Sequence, residues 1–266
     1  MTGLEKLTTR RVAKVWGRDA LPPPFDGPHD ERIGEIWFEP PAAFDALLAK
    51  YLFTSEKLSV QVHPDDARAP QGSRGKEECW LVLDAEPGAS LAIGLDREIS
   101  REELAAAALH GSIEKLLTWH EVTAGDFYYL PAGVIHAIGP GLSLIEIQQN
   151  SDITYRLYDY GRPRELHVED ALEVAQREPY DRRHIRRLPQ DGAVSLVDGP
   201  KFRLNRIVAD DDGWRDRYAG TVMLMPVRGF ATAGEDRIEA GECAVTADPA
   251  GIQVSHDGQA LIAAPC

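Results

Sequence analysis

A mainly β, barrel-like architecture is predicted by three features of this 266-residue chain. Short runs rich in Val, Ile, Leu, Tyr and Trp recur along it: EECWLVL, SLAIGL, DFYYL, LSLIEIQQ, FRLNRIV, TVMLMPV and ALIAAP. Turn-forming residues, 18 prolines and 23 glycines, separate them. Only two stretches carry helical spacing. Many short strands between turn signals describe an all-β barrel or sandwich, and the length suffices for one large β domain or two moderate ones.

The first element of interest is LSVQVHPDD, residues 58–66. Side chains alternate along a strand, so Leu58, Val60 and Val62 face one way and Ser59, Gln61 and His63 the other. Gln61 and His63 then lie about 6.6 Å apart on one face, close enough to meet one ion. Glu78 opens the next strand-like run, ECWLVL, on a neighbouring strand. SREELAAAALHGSIEKLL, 100–117, starts with Ser100 and Glu103 in capping-box spacing and runs to Gly111, which predicts one or two short helices. In GDFYYLPAGVIH, 125–136, Pro131 and Gly133 make a tight turn after which a strand re-enters with His136 projecting inward. LHVEDALEVAQRE, 166–178, places Val168, Ala171, Leu172 and Ala175 at helical spacing and forms a natural joint. Beyond about 179 come six or so strand-like runs with no cluster of His or carboxylates.

One Gln oxygen, one carboxylate and two imidazoles (Gln61, His63, Glu78 and His136) make a mixed N/O set suited to zinc or another first-row divalent ion, with positions left open for water or substrate. Trp37, Trp80, Tyr128 and Tyr129 read as core; His110, His120 and His256 stand apart from the cluster.

Composition narrows the partners. Lys and Arg total 29 against 43 Asp and Glu, a formal charge of −14, which disfavours nucleic acid and anionic membranes. An anionic small molecule would need a few local cations instead. The N-terminus, MTGLEKLTTRRVAKVW, lacks the apolar core of a secretory signal, and no apolar run approaches the 18 residues of a membrane span. Three widely spaced cysteines, Cys79, Cys243 and Cys266, form no CxxC pair. A cytoplasmic protein, monomeric or a small homo-oligomer, is expected.

The motif blocks LSVQVHPDD, GKEECWLVLDAEPGA (75–89), DFYYLPAGVIHAIGPG (126–141) and IEIQQNSDITYRLYDYGR (145–162) closely resemble the type I mannose-6-phosphate isomerases in their short bacterial form, a cupin family. VWG (15–17), IGEIWFEP (33–40) and KYLFTSEK (50–57) fit the same pattern. The resemblance covers most of residues 10–180. It implies a cupin (jelly-roll) barrel with a second, degenerate cupin-like β module and a few short helices. Residues 1–163 would be the metal-binding catalytic domain, with a helical insert reduced to about 97–119. Residues 164–266 would be a linker helix and the degenerate module, the latter from about 179, packing on the first and able to close the cleft. It also implies one zinc ion per chain and interconversion of mannose 6-phosphate and fructose 6-phosphate through an enediolate.

Carried over position by position, the family's zinc ligands fall on Gln61, His63, Glu78 and His136, and its catalytic residues on Lys76, Glu146 and Arg156. Glu77 stands where many members carry Thr; Glu78 is taken as the ligand for its distance from Lys76 and its place before Cys79-Trp80. Glu146 is expected to be a general acid/base whose pKa burial raises toward the working pH. Arg156 is expected to fork onto a phosphate or enediolate, Lys76 to orient substrate or assist ring opening, and Ser59 to contact the phosphate. Two rival readings are a metal-retaining but inactive sugar-phosphate sensor and a cupin oxygenase, the second disfavoured because such sites usually carry HxH where this chain has Gln61-Val62-His63.

Overall fold

A computed structural model describes residues 3–25, 28–209 and 211–266. The chain is built of antiparallel sheets stacked in layers, with two short α-helices on one side. A seven-stranded sheet forms the middle layer, in the spatial order Ile185–Arg187, Asp126–Leu130, Glu78–Ala85, Leu142–Gln149, Leu47–Phe53, Pro28–Glu39, Thr8–Ala20. Facing it is a five-stranded sheet, in the order Tyr155–Tyr158, Val60–Val62, His136–Ile138, Ser90–Leu95, Leu117–Glu121.

Period-two alternation assigns each face of the middle sheet to a different core. Leu52, Trp80, Val82, Leu142 and Leu144 point into the barrel between the two sheets, where they meet Leu91, Ile93 and Ile138. The alternate residues Tyr51, Phe53, Cys79, Leu81, Ile145 and Ile147 point the other way and pack against Phe202, Leu204, Met223, Met225 and Leu261. Those belong to a six-stranded sheet, in the order Glu5–Lys6, Ala244–Thr246, Val222–Arg228, Gln259–Pro265, Phe202–Val208, Val194–Asp198. A three-stranded sheet built from Asp236–Glu239, Phe230–Ala233 and Ile252–Val254 closes a second interior around Ile207, Leu224, Ala231, Ile252 and Ile262.

The outer face of the five-stranded sheet is covered by the helices. Val60, Val62, Ala137 and Leu157 pack there against Leu104, Ala108 and Ile113 of the insert and Ala171, Leu172 and Val174 of the second helix. The first helix spans Arg101–His110, capped by the Ser100 side chain on the Glu103 amide and by Gly111 at φ 72°, as the capping box predicts. The second is shorter than its spacing suggests, Val168–Val174. Ala175 is already extended, and the Gln176 amide donates to the Gly133 carbonyl at 2.8 Å, drawing the chain into the turn before His136.

Three further differences have local causes. Only Val60–Val62 of the 58–66 stretch is strand; Leu58, held by its amide on the Ile138 carbonyl, turns into the barrel instead of following Val60 and Val62 outward. Residues after 179 form nine strands among those described, more than the six or so strand-like runs legible in the sequence, in part because Ile185–Arg187 and Asp236–Glu239 are largely polar edge strands. Of the four aromatics read as core, Trp80 and Tyr128 are buried in the barrel. Trp37 lines the open interior, and half-buried Tyr129 donates its hydroxyl to the Glu77 carboxylate.

Gly133 pins the His136 turn. Its φ is 90°, its amide donates to the His63 carbonyl at 2.8 Å, and an added Cβ would sit 2.8 Å from the Val174 carbonyl oxygen. Gly133→Ala is expected to destabilise the fold by about 1–3 kcal/mol, seen as a fall in melting temperature; an unchanged melt would contradict this account of the turn.

Candidate metal centre

Two rows of side chains face each other across the barrel. On the five-stranded sheet, register sets Gln61 between His136 and Arg156. On the seven-stranded sheet, Arg10, Trp37, Lys50, Glu146 and Trp80 stand in consecutive cross-strand pairs. Glu78, the first residue of its strand, shares the inward parity of Trp80. Glu77 faces the opposite side, toward Tyr129, which is the physical basis for separating the two glutamates.

The structure brings Gln61, His63, Glu78 and His136 together. One ligand atom each from His63, Glu78 and His136 lies within 4.8 Å of the others. His136 Nε2 is 3.3 Å from Glu78 Oε1, His63 Nε2 is 3.6 Å from Glu78 Oε2, and the Gln61 amide is 3.3 Å from His136 Nε2. The tautomers follow from the far side of each ring. His63 Nδ1 sits 2.8 Å from the Ile153 carbonyl and His136 Nδ1 2.9 Å from the Val134 carbonyl. A carbonyl only accepts, so both Nδ1 atoms carry the proton and both Nε2 lone pairs converge on Glu78.

Burial, with Lys76 and His136 adding to it, holds His63 well below the usual imidazole range, and burial holds His136 at about 4. Both rings are therefore neutral at pH 7. Glu78, 1% exposed, is pushed up by burial to about 7 against the pull of Lys76. The Lys76 ammonium lies 2.8 Å from Glu78 Oε2 and 3.2 Å from His63 Nε2, and Glu78 Oε1 receives no hydrogen bond. Two neutral imidazole lone pairs beside a buried carboxylate whose Oε1 has no donor are what a divalent cation would compensate, so the residues present fit a metal. A half-turn of the Gln61 amide would bring its oxygen toward the same cluster and leave the Ser59 hydroxyl, now its donor at 3.2 Å, to accept instead.

Glu146 departs from expectation. Burial pushes it up, but Lys76 at 3.8 Å, Lys50 at 3.1 Å and the Trp80 indole at 3.0 Å outweigh that and hold it at about 2. The carboxylate raised toward neutrality is Glu78. Beside these groups a cavity of about 300 Å³ is lined by six cations, Arg10, Lys14, Lys50, Lys76, Arg156 and Arg164, against three carboxylates, Glu35, Glu146 and Asp152. In a chain of net charge −14 this is a local positive field facing the ligand cluster. Arg156 is half-buried with its Nε atom buried and unpartnered. The cavity's lining residues all lie between Arg10 and Arg164, so the C-terminal module packs behind the middle sheet and does not close this cleft.

Sequence reasoning missed Lys50, Trp37 and Lys14. Lys50 carries a signal in hindsight: it is a lone charge in LLAKYLF, at the inward parity of Leu48 and Leu52. Lys14 and Trp37 sit on charged strands whose inward face only the register reveals.

The match with known proteins agrees with this geometry. No family model matches the chain. It is 46% identical over 136 residues to a mannose-6-phosphate isomerase of Streptococcus mutans, covering 48% of this chain and 43% of that protein. It is 42% identical over 147 residues to the isomerase ManA of Bacillus subtilis, covering 52% and 46%. The match thus spans less than half the length of either relative. A crystal structure of the Bacillus subtilis mannose 6-phosphate isomerase superposes with a TM-score of 0.75 at 22% identity, over 99% of this chain and 100% of that one. The apo isomerase of Salmonella typhimurium gives 0.71 at 14%, with both chains fully covered. The fold is the cupin fold of these phosphomannose isomerases, and the chain is homologous to proteins named as such. Among the described residues no helix is long and apolar enough to cross a membrane.

Proposed function

We propose that the protein is a zinc-dependent aldose–ketose isomerase that interconverts mannose 6-phosphate and fructose 6-phosphate, with Gln61, His63, Glu78 and His136 as the ligands. The observation that carries this is the convergence of two neutral Nε2 lone pairs on the buried Glu78 carboxylate, beside a cavity rich in cations. Lys76, Glu146 and Arg156 are the catalytic residues of this reading, with Ser59, Lys76 and Arg156 on the substrate. We also take 1–163 as the catalytic domain and 164–266 as linker helix and degenerate module; the two β modules have separate apolar interiors, while the Val168–Val174 helix and the Ile185–Arg187 strand pack on the first module and the Glu5–Lys6 strand pairs with the second.

Removing the C2 proton beside a carbonyl near pH 7 requires that the oxygen charge be stabilised as it forms. A divalent ion at the cluster supplies Lewis-acid stabilisation of that charge. Gln61 matters by being neutral: with one carboxylate among four ligands, more positive charge is left for the substrate. Arg156, whose Nε atom lacks a partner, presents its fork to the phosphate or the enediolate. Lys76 donates to the ring oxygen or the developing alkoxide. Lys76 is also one of the groups that pull Glu146 down against the effect of burial. An ammonium drawn onto the substrate releases that pull and moves Glu146 toward the working pH, where it exchanges the proton between C2 and C1.

Isomerisation run in D2O tests this. The expected product is fructose 6-phosphate carrying deuterium at C1 by NMR. A folded, zinc-loaded protein that forms no fructose 6-phosphate would overturn the proposal.

A further inference from the structure

We propose that Asp66 is a positioning residue for the metal centre and that Lys201, on the C-terminal module, braces it. The second module then acts on the ligand cluster through the 64–75 loop and not by closing over it; the inference rests on the metal-site reading above. The loop leaves directly after His63 and returns at Lys76, two residues before Glu78. Its base is drawn shut. The Lys76 amide donates to the Pro64 carbonyl at 2.9 Å, and a Cβ on Gly75 would meet the Asp65 carbonyl carbon and the Asp66 nitrogen at 2.5 Å. A residue without a side chain is what lets the two arms of the loop touch this closely.

Asp66 ties that base to the barrel. Its Oδ1 accepts from the Gly75 amide at 2.8 Å and from the Gln149 side-chain nitrogen at 3.0 Å. The Gln149 side-chain oxygen accepts in turn from the Glu77 amide at 3.0 Å, and the Gln149 backbone amide donates to the Glu77 carbonyl at 3.0 Å. One carboxylate therefore holds the two backbone amides that flank Lys76, the first directly and the second through Gln149. Glu78 follows immediately.

The other oxygen of Asp66, Oδ2, accepts from the Lys201 ammonium at 2.6 Å. Lys201 stands in the turn between Val194–Asp198 and Phe202–Val208, where its carbonyl accepts from the Cys266 amide at 3.0 Å. The same turn touches the barrel at a second point. A Cβ on Gly199 would lie 2.9 Å from the Tyr129 hydroxyl, which donates to the Glu77 carboxylate. Both contacts of this turn lead to the residues on either side of Lys76.

The alternative is that Asp66 and Lys201, whose side chains are 42% and 31% exposed, form a surface ion pair of no consequence for the metal. Three measurements separate the two: zinc affinity by competition with a chelator, the visible spectrum of the cobalt-substituted protein, and the melting temperature of the zinc-free protein. They are made on Asp66→Ala, Lys201→Met, Lys201→Arg and the Asp66→Ala, Lys201→Met double variant. Lys6→Met, which removes a comparably exposed ion pair with Glu242, is the control. Asp66→Ala is expected to weaken zinc about tenfold, the low end for a partner outside the ligand shell, and to alter the cobalt spectrum. Lys201→Met is expected to weaken zinc about threefold, Lys201→Arg to match the wild type, and the double variant to bind no more weakly than Asp66→Ala. Lys6→Met should change neither affinity nor spectrum, even where it lowers the melting temperature as much.

Unchanged affinity and spectrum in Asp66→Ala would overturn the proposal, as would additive losses in the double variant or a loss in Lys6→Met equal to that in Lys201→Met. None of these readouts needs turnover. A wild type that binds zinc but forms no fructose 6-phosphate overturns the isomerase reading and leaves this inference standing; a wild type that binds no zinc removes the metal centre and the inference with it.

Discussion

Replacing His63 with alanine is expected to leave a folded protein that no longer holds a stoichiometric equivalent of zinc and has no measurable isomerase activity. His63 is 2% exposed, its Nδ1 is committed to the Ile153 carbonyl, and its Nε2 is one of two lone pairs aimed at Glu78. Without it the proposed shell keeps one imidazole, one carboxylate and one amide, a poor set for zinc. The loss should exceed the roughly 10- to 100-fold that follows removal of a partner outside the ligand shell. Elemental analysis checks the metal directly, with exposed His256→Ala as the variant that keeps both metal and activity. A full equivalent of zinc in His63→Ala would count against the site.

Glu146→Gln is expected to cost both activity and stability, for the same electrostatic reason. Lys50 and Lys76 are 3% and 6% exposed, and the carboxylate between them lies 3.1 and 3.8 Å from their ammonium groups. Neutralising it leaves two buried cations sharing Glu78, and breaking such an arrangement typically costs about 3–5 kcal/mol. The catalytic loss expected of an acid/base group is about 10²- to 10⁴-fold. Because the stability loss comes from uncompensated charge, adding Lys50→Met to Glu146→Gln should recover part of the melting temperature, although activity stays low. A double variant less stable than either single one would contradict the charge argument.

Much of this was legible in the sequence where the signal is local. The Ser100 to Gly111 helix needs only a cap, good helix formers and a left-handed stop, all within twelve residues. The turn before His136 is written in Pro131 and Gly133, whose φ of 90° admits little else. Gln61 and His63 share a face through period-two alternation alone. What was not legible depends on pairing between distant strands. That Lys50 stands beside Glu146, or that Arg10 covers Trp37, follows from register across segments tens to a hundred residues apart.

The pKa of Glu146 was misjudged for that reason. Burial could be inferred from the barrel, but the two ammonium groups that reverse its effect come from other strands. Trp37 was assigned to the core because aromatics usually are buried, whereas its neighbours make it a wall of the cavity.

The central claim is that the cluster around Glu78 holds a metal and that the metal carries the isomerisation. The most direct test follows the appearance of fructose 6-phosphate from mannose 6-phosphate in one preparation, assayed as isolated, after chelation and after zinc is restored. Activity that disappears on chelation and returns with zinc is the predicted result. Activity that survives complete removal of the metal, or a folded zinc-bound protein inactive throughout, would contradict it.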